Sequence, residues 1–212
     1  MSIRTILFDL DGTLIDTNEL IIASFTHTIT QYSDRPYDRK EILDFIGPPL
    51  VESLRKVNPD KVEEMVETYR KHNIENHDRY VKAYDGVVDT IEALKEKGYR
   101  LGIVTTKMRN TVQMGLELTN LDGLFETVIT LDDVNNAKPH PEPIVKALDL
   151  LNSKASEALM VGDNTHDIEA GQNAGVRTAG VAWTIKGREV LDDLNPDYML
   201  TNMRDLLEIT GG

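Results

Sequence analysis

The sequence predicts an α/β protein in which a parallel sheet, covered by helices on both faces, is interrupted after its first strand by a helical insertion. Three observations carry this. Short apolar runs alternate with helical patterns through most of the chain, which is the layout of consecutive β-α-β units. The runs show no polar/apolar alternation, so both of their faces belong in a core. Between residues 15 and 84 the alternation stops and helical pattern takes over.

Taken in order, strands are expected at TILFD (5–9), RLGIVTT (100–106), TVIT (127–130), ALMVGD (158–163), TAGVAW (178–183) and DYML (197–200). Helices are expected near 86–97, 109–119, 141–151, 165–174 and 203–209. Strand-to-strand connections should be right-handed crossovers. Within the insertion, residues 59–81 carry the longest helical pattern, and Asn58-Pro59 suits its start. FIGPPL (45–50) must interrupt a helix, because two prolines cannot sit in a helix interior. YDGV (84–87) is the turn back into the core. The expected organisation is therefore an α/β core of residues 1–14 and 85–212, with an inserted α-helical cap of residues 15–84.

A chain of 212 residues can bury a well-filled core. A net charge of −13 argues against nucleic-acid binding, which needs a basic footprint. An anionic substrate would have to be held by local cations, helix N-termini or a bound metal. The chain lacks cysteine, so disulfides and thiolate metal sites are excluded. No apolar run reaches membrane-spanning length, and the N-terminus has no signal-peptide layout. A cytoplasmic location without membrane partners is the expectation.

Ligands of parallel α/β sheets bind at the carboxyl ends of strands, and here those ends carry the polar chemistry. The first strand ends in Asp9-Leu10-Asp11-Gly12-Thr13, the second in Thr105-Thr106-Lys107, and the fourth in Gly162-Asp163, with Asp167 on the following helix. Period-2 alternation would point Asp9 and Asp11 to the same side. Lys138 precedes Pro139 and so lies extended, outside the next helix. Carboxylates converging from neighbouring strands would protonate unless a cation intervened. Oxygen donors without His or Cys favour Mg²⁺. The set suits phosphoryl transfer. Asp9 can attack phosphorus, Asp11 can move protons, and hydroxyl, amide and lysine groups can hold the phosphate oxygens.

Four motifs in order, DLDGT (9–13), IVTT (103–106), KPHP (138–141) and GDNTHD (162–167), give a sequence that resembles the haloacid dehalogenase superfamily of phosphatases. The resemblance implies a Rossmann-like core with a helical cap placed after the first motif. It implies that Asp9 is the nucleophile and a Mg²⁺ ligand. Asp11 is the acid/base, with its backbone carbonyl on the metal. Thr105 binds the transferring phosphate, with Thr106 and Lys107 as further substrate-binding candidates beside it. Lys138 stabilises the charged intermediate, and Asp163 and Asp167 serve the metal. Thr13 matches the phosphatases; sugar-phosphate mutases with the same cap often carry Val there. Longer stretches, among them KPHPEPIVKALDLL and DNTHDIEAGQNAGVRTAGVAWTIKG, resemble the PpaX-type bacterial inorganic pyrophosphatases. That resemblance implies hydrolysis of pyrophosphate formed when serine-phosphorylated HPr is dephosphorylated.

Alternatives stand beside these readings. Phosphoglycolate phosphatases share the motifs and the cap, so phosphoglycolate or another small phosphomonoester is the competing substrate. A receiver-like phospho-acceptor also uses Asp, Thr and Lys, but a second acid beside the phosphorylated one argues for turnover. Asp167 with Asn164 also reads as a helix cap. FIGPPL is either a helix break or a substrate-selecting loop, and Asp16 is a hinge or capping acid. His27, His72, His77, His140 and His166 form no metal spacing, and His72 and His77 read as surface groups. Trp183 is either core or the edge of the site.

Overall fold

A computed structural model describes residues 2–211. The first strand, β1 (Thr5–Phe8), is buried throughout. A tight turn leads to the two-residue β2 (Ile15–Asp16). Four helices follow: α1 (Asn18–Tyr32), α2 (Arg39–Leu43), α3 (Leu50–Arg55) and α4 (Val62–Tyr80). The chain returns through β3 (Lys82–Ala83), antiparallel to β2. Strand and helix then alternate. They run α5 (Val87–Glu96), β4 (Arg100–Val104), α6 (Arg109–Leu118), β5 (Thr127–Ile129) and α7 (Glu142–Leu150). Next come β6 (Ala158–Gly162), α8 (Thr165–Asn173), β7 (Arg177–Val181), α9 (Glu189–Asp192), β8 (Tyr198–Leu200) and α10 (Asp205–Ile209).

Six strands form one parallel sheet in the order β5-β4-β1-β6-β7-β8. β1 is interior, with β4 on one side and β6 on the other, so the strand order reverses at β1. This is the switch point at which open α/β sheets leave a crevice. One face of the sheet packs Leu7, Val104, Ile129 and Met160 against Ile144, Ala147 and Leu148 of α7 and Ala170 of α8. On the alternate parity of β1, Ile6 and Phe8 are equally buried, and Phe8 meets Phe125 edge-on at 6.1 Å. Burial on both faces explains the unalternating apolar strands.

All but the last of the six sheet strands stop one or two residues before the expected ends. Asp9, Thr105 and Asp163 therefore lie just beyond β1, β4 and β6, not inside them. The short α9 lies outside the helices that the sequence predicts.

The chain divides into two compact units, one running up to Asp16 and from Lys82 onward, the other Thr17–Val81. The β2–β3 pair belongs to the first unit, whereas the sequence predicts a strandless insertion over residues 15–84. A two-residue strand is too short to show a period. In the second unit, Phe25 of α1 packs on Phe45 at 5.6 Å and on Tyr69 of α4 at 4.8 Å. FIGPPL separates α2 from α3, with Pro49 as the N-cap of α3. The Asn58 side chain accepts from the Asp60 N–H, and a 3₁₀ turn (Pro59–Lys61) precedes α4.

His77 corrects the sequence reading: it is fully buried, with Nδ1 3.0 Å from Asp78 Oδ1. His72 is half-buried, stacked on His27 at 4.4 Å, with Nδ1 3.1 Å from Ser24 Oγ. The buried stripe of α4 runs Met65, Val66, Asn73, His77, so half of it is polar. A search for apolar periodicity cannot find such a face. Among the described residues, no helix is long and apolar enough to cross a membrane.

Candidate active site

β1 is hydrogen-bonded to both β4 and β6, with Phe8 opposite Ile103 and Val161. Asp9, Thr105 and Asp163 therefore leave the sheet side by side at its carboxyl edge. The Asp9 N–H donates to the Val161 carbonyl at 2.9 Å and the Thr105 N–H to Ile129 at 2.9 Å, which fixes both backbones. Asp167 reaches the same place from the first turn of α8. There it forms a reciprocal cap with Asn164, whose N–H donates to Asp167 Oδ2 at 3.0 Å. The capping role and membership of the acidic group thus coexist in one side chain.

Carboxylate oxygens of Asp9, Asp163 and Asp167, all buried, lie within 4.8 Å of one another. Lys138 enters this group from the segment before α7. Its ammonium donates to Asp9 Oδ1 (2.7 Å), Asp167 Oδ1 (2.6 Å) and the Val104 carbonyl (2.7 Å). An ammonium has three N–H groups, and all three are used. Two glycines make room. Gly12 has φ of 81°, and a Cβ there would stand 2.3 Å from Asp163 Oδ2. A Cβ on Gly162 would meet Asp167 at 2.2 Å.

Burial pushes the Asp9 carboxyl up to about 7; the Lys138 charge opposes that rise and the Asp167 charge adds to it. Burial, then the charges of Asp9 and Asp167, raise Asp163 well above the carboxylate range. Burial works against the Lys138 ammonium, but Asp167 and Asp9 more than reverse it, so its pKa is raised. One buried lysine is thus too little charge for three buried acids, and a divalent cation would supply the balance. The donor set, oxygen only, fits a hard ion.

Asp11 stands apart from this triad. β1 ends at Phe8, so strand alternation does not extend to Asp11. The Leu10 carbonyl instead accepts from Leu14 and Ile15 N–H in a turn. The Asp11 carboxylate pairs with Lys107, Nζ to Oδ1 at 2.8 Å, both side chains largely buried. The period-2 argument for their same-side placement therefore does not apply here; the Asp11 carboxylate is outside the 4.8 Å group, while its charge still bears on Asp9. Thr105 is buried, and its Oγ1 accepts from the Lys107 N–H at 3.2 Å, so it does close the turn. Thr106 is half-buried beside it. Thr13 is buried and donates to Asp163 Oδ1 at 3.4 Å.

A sequence model of the haloacid dehalogenase-like hydrolases matches residues 6–181. The chain belongs to the haloacid dehalogenase-like hydrolases. Within that family it is 61% identical over 211 residues to Pyrophosphatase PpaX of Anoxybacillus flavithermus, covering 100% of this chain and 98% of that protein. Among solved structures, a haloacid dehalogenase-like family hydrolase of Streptococcus pneumoniae superposes with a TM-score of 0.86 at 27% identity, covering 97% of each chain. A predicted phosphoglycolate phosphatase of Haemophilus somnus gives 0.88 at 24% identity, covering 99% of each, a likeness of fold alone.

For a hydrolase of this family, two groups near the acids went unassigned by sequence reading. His166 follows Thr165 on α8, and its buried Nδ1 has no hydrogen-bond partner among the described residues. Burial lowers its pKa against the pull of Asp167 and Glu169. Lys186, in the loop after β7, bears electrostatically on both Asp163 and His166. The available signal was position, since β7 neighbours β6 and its exit loop must pass the same edge. Trp183 in that loop lies against Tyr84 at 5.8 Å, and its buried Nε1 has no partner among the described residues.

Proposed function

We propose that this hydrolase cleaves inorganic pyrophosphate to two phosphates through an aspartyl-phosphate on Asp9, with Mg²⁺ as cofactor and residues 17–81 as its cap. The observation that carries the chemistry is the buried contact of Lys138 with Asp9 and Asp167 beside Asp163. The substrate follows from the full-length relative at 61% identity, which is named for pyrophosphate.

In this reading an Asp9 oxygen attacks one phosphorus and the bridging P–O bond breaks. Asp11 gives the leaving phosphate its proton, then takes one from the water that attacks the acyl phosphate. The Thr105 hydroxyl, Thr106 and neighbouring amides hold the transferring oxygens. Lys107 contributes positive charge to substrate binding. Lys138 orients Asp9 and offsets negative charge as it moves from carboxylate to phosphate. Asp9, Asp163, Asp167 and the Asp11 carbonyl would hold Mg²⁺. Bound there, the ion neutralises phosphate oxygens.

The test is phosphate release from pyrophosphate, phosphoglycolate and p-nitrophenyl phosphate in parallel. Pyrophosphate should be preferred in kcat/KM by at least about tenfold, or ~1.4 kcal/mol of transition-state binding. A higher value for phosphoglycolate would overturn the substrate.

The metal has its own prediction. Asp9 is held in the folded state above its unfolded value, so its contribution to stability is present below pH 4. That contribution is lost as pH rises through about 7. Mg²⁺ competes with those protons and relieves the repulsion. The rise in Tm caused by Mg²⁺ should therefore be larger at pH 8 than at pH 5, and excess chelator should stop turnover. An equal rise at both pH values, or full activity in chelator, contradicts this assignment.

A further inference from the structure

We propose that Lys107 is the residue that selects substrates with a charged leaving group, and that it does so while positioning Asp11. This rests on the assignment of Asp9 and Asp11 to phosphoryl transfer, but not on pyrophosphate being the substrate. The Lys107 ammonium lies 2.8 Å from Asp11 Oδ1, with side-chain exposures of 13% and 19%. A pair this shielded is screened far less than a surface ion pair. Its partner is the acid that serves the leaving oxygen, so whatever departs toward Asp11 passes within about two hydrogen-bond lengths of the ammonium. Lys138, buried among the acids, is not available for this. It spends its three donors on Asp9, Asp167 and Val104.

The placement has a local cause. Lys107 stands in the turn after β4, where its N–H donates to Thr105 Oγ1 and its carbonyl accepts from the Leu131 N–H at 3.0 Å. Thr105 and Lys107 are thereby locked together, phosphate contact and leaving-group contact in one turn. A leaving group with its own negative charge, such as phosphate or a carboxylate, gains from the ammonium as the bridging bond breaks. An alkoxide carrying no further charge gains only from the proton supplied by Asp11. The ammonium thus separates substrates by the charge that leaves.

The experiment compares kcat/KM for Lys107→Met and Lys107→Arg against the unaltered protein. The substrates are pyrophosphate and phosphoglycolate, with charged leaving groups, and β-glycerophosphate, with a neutral one. For Lys107→Met the loss on the better of the two charged-leaving-group substrates should be about a hundredfold, and at least tenfold larger than on β-glycerophosphate. Lys107→Arg should recover most of that difference. All three substrates are assayed on one preparation, so a folding defect lowers them together and cancels in the ratio. Equal losses on the charged and neutral classes, or failure of Arg to restore the ratio, overturn the proposal. A preference of the unaltered protein for phosphoglycolate over pyrophosphate would overturn the pyrophosphatase reading while leaving this ratio readable.

Discussion

Asp9→Asn is expected to abolish hydrolysis, with kcat falling at least ~10³-fold, while the protein stays folded. The substitution keeps shape and leaves an amide oxygen that can still accept from Lys138. What disappears is the anionic oxygen that attacks phosphorus. No neighbouring side chain can take over. Asp163 and Asp167 belong to the same buried group, but Asp167 has its two oxygens on Lys138 and on the Asn164 N–H. Asp163 accepts from Thr13 and abuts Gly12. Asp11 is paired with Lys107 outside the triad. Stability should move the other way from activity. Burial raises Asp9 to about 7, so the ionised form opposes folding above that pH. The asparagine should therefore match or exceed the parent's Tm at pH 8. Phosphate release and thermal melts on the same preparation decide it. Turnover within tenfold of the parent would remove Asp9 from the nucleophile's role, and an unfolded variant would contradict the stability expectation.

How much of this was legible in the sequence depends on what each residue's position was derived from. Asp9, Thr105 and Asp163 could be read because a strand end is a reliable place: the apolar run stops and the polar residue emerges at the carboxyl edge. Lys138 and Asp167 could be read as members of the set, but not as partners of one another. Their 2.6 Å contact depends on how the segment before α7 crosses the end of β4. The pairing of Asp11 with Lys107 was not legible at all. It arises in two turns, where period-2 reasoning no longer applies. His77 failed for a related reason. Burial was inferred from apolar spacing, and α4 buries Asn73 and His77 on its inward face. Sequence reasoning thus succeeded where regular structure ends predictably and failed where side chains from two irregular segments meet.

Lys138→Met should be the most damaging substitution for stability and activity together. The lysine is 4% exposed, and its ammonium makes three hydrogen bonds, two of them to carboxylates. Methionine fills comparable volume, so little of the effect comes from a cavity. It leaves Asp9 and Asp167 buried without the counter-charge, and breaking a buried pair on one side costs about 3–5 kcal/mol. The pH dependence separates this from ordinary packing damage. Lys138 is charged at every accessible pH, since the nearby acids raise its pKa further. In the variant Asp9 loses that partner, so its folded pKa rises further above the unfolded one. Stability lost through such groups is small where they are protonated in both states and grows as pH climbs. Urea melts should show a modest deficit at pH 5 and a larger one at pH 8, with Mg²⁺ restoring part of it by supplying the missing positive charge. Hydrolysis should fall at least ~10³-fold even at saturating Mg²⁺, because the ion cannot reproduce the directional contact that holds Asp9. A deficit independent of pH would mean that Lys138 serves the fold by packing alone, and full activity would mean that the attacking carboxylate needs no such partner.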